Sequence, residues 1–221
     1  MDEGAGLRAR MVDCLIGAGT IGEGAVCGAM RAVPRHAFMP DVPLEHAYAD
    51  GVVAIKSANG VMLSTASQPT MVALMLEQLR VAPNARILEI GTGSGYNAAL
   101  LAELTGLGGS VVTVDIECDL VAAAARRLAE TGYARVRAYC GDGQFGFLDE
   151  APYDRIIVTA SIPQVPRALY EQLRDGGWLV APIGAHAHQR SVAFERYPGG
   201  LREIDAVACQ FIPLRPSTSS G

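Results

Sequence analysis

"LEIGTGSGYNAALLAELTG", Leu88–Gly106, sets a short apolar run, three glycines in alternation and a helical pattern in direct succession. The apolar part, "ARILEI" from Ala85, has the length of a buried strand and stops at glycine. Gly91, Gly93 and Gly95 predict a tight turn with positive φ, where backbone can approach a ligand closely. "GYNAALLAELTG" then follows helical spacing and stops at Gly106. Strand, glycine turn and helix in that order open a parallel α/β unit.

The same rhythm continues outward from this stretch. "SVVTVDI" reads as the next strand, "CDLVAAAARRLAETG" as a helix closed by Gly132, and "RVRAYC" as a third strand. "YDRIIVTAS" is a fourth strand, "VPRALYEQLRDGG" a helix ending at Gly176-Gly177, and "WLVAPIG" a fifth strand. "RSVAFERY" and "AVACQFIPL" have no helix between them and predict an antiparallel hairpin at the sheet edge. The fold class expected is α/β and Rossmann-like: a mostly parallel twisted sheet with helices on both faces. Upstream, "GLRARMVDCLIGAG" and "GAVCGAMRAV" predict helices, and Pro34 and Pro40 break the "VPRHAFMP" turn. "GVVAIK" predicts a short strand or extended arm, "SANG" a loop, and "QPTMVALMLEQL" a helix. That helix has Pro69 in its first turn and Ser67 or Gln68 at its N-cap. The organisation expected is a helical N-terminal and substrate-facing segment at 1–84, a core at 85–214 and a flexible tail at 215–221.

Half of the 221 residues are hydrophobic and 19% are charged, the composition of a packed globular chain. A net charge of -5 and scattered basic pairs argue against a nucleic-acid partner, which requires a concentrated basic footprint. Asp2, Glu3 and Asp13 interrupt the N-terminal run, so no signal peptide is read there. No segment approaches the roughly 18 uninterrupted apolar residues of a membrane span. Cys14, Cys27, Cys118, Cys140 and Cys209 are odd in number and lack CxxC spacing. They predict buried free thiols and a reducing cytoplasm. A monomer is expected as a separate matter. His186 and His188 have no acidic or cysteine neighbour, so no metal is expected.

Ligands of open parallel sheets sit at the carboxyl ends of the strands. A dinucleotide loop would read GxGxxG, whereas here the third glycine comes one residue early. Glu89 adds a carboxylate beside the turn, which suits a ligand with a cationic end and no pyrophosphate. Asp115 ends the second strand, where a carboxylate can accept from both hydroxyls of a ribose. Asp142 ends the third, placed to accept from an adenine amine. These features together point to S-adenosyl-L-methionine, leaving as S-adenosyl-L-homocysteine. The contact set expected is Glu89, Gly91, Thr92, Gly93, Ser94 and Gly95, then Asp115 and Ile116, then Gly141, Asp142 and Gly143, and finally Thr159.

"LEIGTGSGYNAALLAEL", "GDG", "APYDRIIVTAS" and "LRDGGWLVAPIG", with "VPRHAFMP" and "TASQP" upstream, resemble the protein-L-isoaspartate O-methyltransferase family. The likeness covers roughly Val33 to Leu214. It implies a class I S-adenosylmethionine-dependent methyltransferase that esterifies the carboxylate of an aspartate-derived residue in a protein or peptide. The resemblance puts the active-site hydroxyls on Thr65 and Ser67. Such chemistry needs no general base, because a carboxylate with a pKa near 4 is already ionised at pH 7. Its requirement is in-line placement, worth up to roughly 7–11 kcal/mol. Hydroxyl donors can hold one oxygen while the other attacks, and an Arg or Lys in their place would pair too strongly. Ser67 could equally serve as the cap of the helix that follows.

"AIKSANGVMLSTAS" departs from the family's usual loop and, with "RSVAFER", is similar to a branch acting on ribosomally made peptides. In that branch an ordinary aspartate of a dedicated precursor is methylated, and the ester collapses to an aspartimide or isoaspartate. Lys56 is either a solvated charge or a recogniser of an acidic peptide. Two further alternatives are a small-molecule or RNA methyltransferase, and a binding module without turnover.

Overall fold

A computed structural model of the chain describes residues 3–185 and 188–217. His186 and residues 218–221 lie outside them. Three helices come first: α1 (Ala5–Gly17), α2 (Ala25–Ala32) and α3 (Leu44–Tyr48), with a 3-10 turn at Arg35–Phe38. A two-stranded hairpin follows, β1 (Val53–Ala58) and β2 (Val61–Ala66), and then α4 (Pro69–Leu79). Next come β3 (Arg86–Ile90), α5 (Tyr96–Thr105), β4 (Ser110–Asp115), α6 (Cys118–Glu130) and β5 (Arg137–Cys140). The chain closes with β6 (Tyr153–Val158), α7 (Arg167–Glu171), β7 (Leu173–Ala185), β8 (His188–Tyr197) and β9 (Gly200–Cys209).

The main sheet runs β5-β4-β3-β6-β7-β8-β9. Its first five strands pair in parallel and the last two antiparallel, as the missing helix between them predicts. The chain starts in the middle at β3, builds outward through β4 and β5, then restarts on the other side at β6. The β3/β6 junction is therefore the topological switch point, where such sheets bind ligands. Strand alternation sorts the core. Ile87, Val111, Ile157 and Val180 face one hydrophobic cluster, shared with α1, α2, α4 and α5. Leu88, Ile90, Val112, Val114, Ile156 and Val158 face the other, shared with Leu169 of α7. The N-terminal segment thus completes the first cluster and shares one core with the sheet.

Four expectations need correction. The stretch "SANG" is no loop: Asn59 and Gly60 take φ of 51° and 75° and form the two-residue turn of the β1–β2 hairpin. The helix expected to reach Gly176-Gly177 stops at Glu171. Gln172 is held by its side chain, which donates to the Phe145 carbonyl and accepts from Phe147 N, and by Tyr153 N on its carbonyl. Cys118 and Cys140 form a disulfide, with Cα atoms 4.9 Å apart. Asp115 pairs with Cys140 across β4 and β5, and Cys118 opens the helix just after β4, so the sheet register brings the thiols together. Only Cys14, Cys27 and Cys209 are free among the described residues, and the cysteines no longer argue for a compartment. Finally, the tail is tied down as far as Ser217: Arg215 pairs with Glu117 at 2.6 Å, and Ser217 N donates to Asp142 at 2.8 Å. No helix among the described residues is long and apolar enough to cross a membrane.

Candidate active site

Gly91, Gly93 and Gly95 take φ of 102°, 50° and 91°, so the turn after β3 adopts the conformation their spacing predicts. The close neighbour of Gly91 is Thr159, at the end of β6, whose hydroxyl donates within 3.1 Å to the carbonyls of Ile90 and Gly91. A Cβ on Gly91 would collide with that hydroxyl. Asp115 fastens the turn from the other side. Its carboxylate accepts from Gly93 N at 3.0 Å and from Glu117 N at 3.1 Å.

Glu89 works from behind the turn. It is fully buried and sits opposite Thr113 in the β3–β4 register. Its two oxygens accept from Asn97 Nδ2 at 2.7 Å and Thr113 Oγ1 at 2.6 Å. Burial pushes its pKa up from 4.5 to about 7, against the two hydrogen bonds that favour the anion. Between those values the folded chain binds a proton that the unfolded chain has released. Stability is therefore expected to fall as pH rises from about 4.5 to about 7, by an amount on the order of 3 kcal/mol, and to level off above. Urea midpoints across that range check this, and Glu89→Gln should flatten the slope.

Two hollows open at the switch point, and a third adjoins them through Thr65. A loop cavity is lined by Leu63, Ser64, Thr65, Gly91, Gly93, Asp115, Ile116, Gly143, Thr159 and the segment from Ile212 to Arg215. An inner pocket is lined by Arg35, Thr65, Ser67, Met75, Thr92, Ser94, Tyr96, Asn97 and Thr159. An outer groove is lined by Val52, Met62, Thr65, Ser67, Met71, Cys209 and Phe211. Thr65 borders all three, and Ser67 borders the inner pocket and the groove. Both residues are half-buried, and neither hydroxyl is hydrogen-bonded among the described residues.

Ser67 is free because it does not cap α4. The N-cap is Gln68, without a side-chain cap of its own. Asp50 does that work from a distance, accepting from Thr70 N at 2.8 Å, Thr70 Oγ1 at 2.7 Å and Gln68 Nε2 at 2.9 Å. The capping role considered for Ser67 is thus replaced by Asp50, which no local pattern in the sequence reveals.

The expected contact residues divide accordingly. Gly91, Gly93, Asp115, Ile116, Gly143 and Thr159 line the loop cavity, and Thr92 and Ser94 line the inner pocket. Glu89, Gly95, Gly141 and Asp142 lie outside both linings. Asp142, expected to accept from an adenine amine, has one oxygen on Gln144 N and the other on Ser217 N, so the chain's own tail lies beside that carboxylate. Lys56 is neither solvated alone nor turned to a peptide. Its ammonium bonds Glu117 at 2.5 Å and Asp119 at 2.6 Å. With Arg215 also on Glu117, the hairpin, the β4–α6 junction and the tail are clasped together beside the loop cavity.

A family model for protein-L-isoaspartate(D-aspartate) O-methyltransferase matches residues 7–219. The chain belongs to that family. A protein-L-isoaspartate O-methyltransferase of Methanoregula boonei is 44% identical over 207 residues, covering 94% of this chain and 92% of its own. One from Gloeobacter violaceus is 43% identical over 191 residues, covering 86% and 89%. Among solved structures, a protein-L-isoaspartate O-methyltransferase superposes with TM-score 0.85 at 31% identity, over 93% of this chain and 65% of that one. A Plasmodium falciparum structure in complex with S-adenosyl-L-homocysteine superposes with TM-score 0.79 at 22% identity, over 93% and 97%, and supports the fold.

Proposed function

We propose that this member of the family is an S-adenosylmethionine-dependent carboxyl O-methyltransferase acting on the isoaspartyl carboxylate of a protein or peptide. The observation that carries the reading is the position of Thr65, with Ser67 beside it, where groove, inner pocket and loop cavity meet. The residues present fit the cofactor. Gly91 and Gly93 bring bare backbone to the loop cavity, Asp115 lines it with a carboxylate that has lone pairs beyond those its two backbone donors use, and Ile116 and Gly143 line it beside them. When bound, the cofactor supplies an electrophilic methyl group on a sulfonium.

The chain's own share of the reaction is placement. In this reading the groove receives the substrate peptide; its described lining has no charged side chain to compete for the acceptor. Ser67 and Thr65 donate to one carboxylate oxygen and leave the other directed at the loop cavity. Neutral donors hold the anion without quenching it, and no side chain has to move a proton. The methyl ester is a better leaving system than the acid, so the neighbouring backbone amide closes a succinimide after release. The same reading puts the enzyme with its protein substrates in the cytoplasm.

Mass spectrometry of two incubations with S-adenosylmethionine tests this: an isoaspartyl peptide and its aspartyl counterpart. The isoaspartyl peptide is expected to gain the mass of one methylene and then lose methanol as the ring closes. Modification of the aspartyl peptide alone would move the reading to a dedicated precursor-peptide reaction, for which the relatives above give no support. Transfer to neither, with transfer to RNA or a small acid instead, would end it.

A further inference from the structure

Arg35 is 1% exposed, yet forms no ion pair among the described residues. "VPRHAF" places it there: Pro34 opens the 3-10 turn, and fully buried Val33 and Phe38 pull the turn, with the arginine between them, into the core. Its Nε donates to the Ala47 carbonyl at 2.8 Å and its Nη2 to the Ser67 carbonyl at 2.9 Å. The guanidinium lies over the Tyr96 ring, 4.9 Å from its centroid. Asp50, the carboxylate that acts on it through space, has its oxygens on Gln68 and Thr70. A buried cation held by carbonyls and an aromatic face, with its one carboxylate neighbour bonded elsewhere, is costly and gains when a further anion joins it. It lines the inner pocket, with Thr65, Ser67 and Asn97.

We propose that Arg35 is the positioning residue of the acceptor site: it fixes Ser67 through the backbone carbonyl and supplies the buried positive charge that the substrate carboxylate balances. The inference rests on a carboxylate acceptor, as proposed above. Held back on two carbonyls, the guanidinium attracts the anion without pairing with it. That resolves a conflict in the chemistry, since a direct ion pair would blunt the nucleophile and an apolar pocket would reject it. Asp50 fixes Gln68 and Thr70, so the backbone that follows the Ser67 Cα is held by both side chains.

The test measures binding, with S-adenosyl-L-homocysteine present, of an isoaspartyl peptide and of its carboxamide analogue, alongside steady-state rates. The wild type is expected to prefer the carboxylate. Arg35→Met should lose that preference by about tenfold or more, and raise KM, while S-adenosyl-L-homocysteine binding confirms that the variant is folded. Arg35→Lys should keep most of the preference but lower kcat, because an ammonium cannot span both carbonyls in the fork geometry. Folded Arg35→Met with wild-type preference would overturn the charge role. Arg35→Lys with wild-type kcat would overturn the positioning role, and decides the matter alone if Arg35→Met does not fold. A wild type that methylates neither the isoaspartyl nor the aspartyl peptide but still prefers carboxylate over carboxamide would refute the proposed function and leave Arg35 standing.

Discussion

Replacing Ser67 with alanine is expected to lower kcat on an isoaspartyl peptide by about 10²-fold, the scale of losing one preorganised donor at the reacting group. S-adenosylmethionine affinity and thermal midpoint should stay at wild-type values. The split follows from geometry. The Ser67 hydroxyl borders the inner pocket and groove but not the loop cavity, so its loss leaves the cofactor walls intact. Asp50 caps α4, so no cap is removed, and the Arg35 bond goes to the Ser67 carbonyl, which alanine keeps. A residue acting only as a helix start would show the reverse pattern, a lower midpoint with unchanged turnover. Labelled-methyl transfer and calorimetric titration of the cofactor give both quantities, and unchanged turnover would remove Ser67 from the reaction.

What the sequence reveals of this site divides along the range of the interactions. The glycine turn, Asp115 and Thr159 follow from local rules, because strand periodicity and glycine stops fix where each parallel strand ends, and parallel strands end on one rim. The Asn59-Gly60 pair is an equally local hairpin signal, and it places Thr65 in a strand facing that rim. Other features arise only when distant segments meet. Arg35 finds Ser67 across 32 positions, and Arg215 finds Glu117 across 98. Nothing in "VPRHAFMP" marks its arginine as buried, since arginine is among the residues least often found inside. The Cys118–Cys140 bond is likewise a product of sheet register, and a separation of 22 residues carries no pattern of its own. Glu89 is legible as an acid beside the turn, but its partners Thr113 and Asn97 make it a brace behind the loop, a role that depends on which face of β3 it occupies.

Replacing Asp115 with alanine is expected to weaken S-adenosylmethionine binding by about 10²-fold or more, from losing hydrogen bonds to a charged acceptor worth roughly 1.5–3 kcal/mol each. Two effects combine. The carboxylate lines the loop cavity at the end of β4, where it can accept from a ribose diol. It also holds Gly93 N and Glu117 N, so its removal loosens the glycine turn and the start of α6 at once. Asp115→Asn separates these effects, since its carbonyl oxygen can still accept from Gly93 N while the charge and one acceptor are gone. Its affinity should fall between wild type and alanine. Peptide KM at saturating cofactor should change little in both variants, because Asp115 borders neither the inner pocket nor the groove. Equal cofactor affinity in wild type and Asp115→Ala by calorimetry would show that the ribose is held elsewhere. It would also mean that the turn keeps its shape on the Thr159 and Glu89 contacts alone.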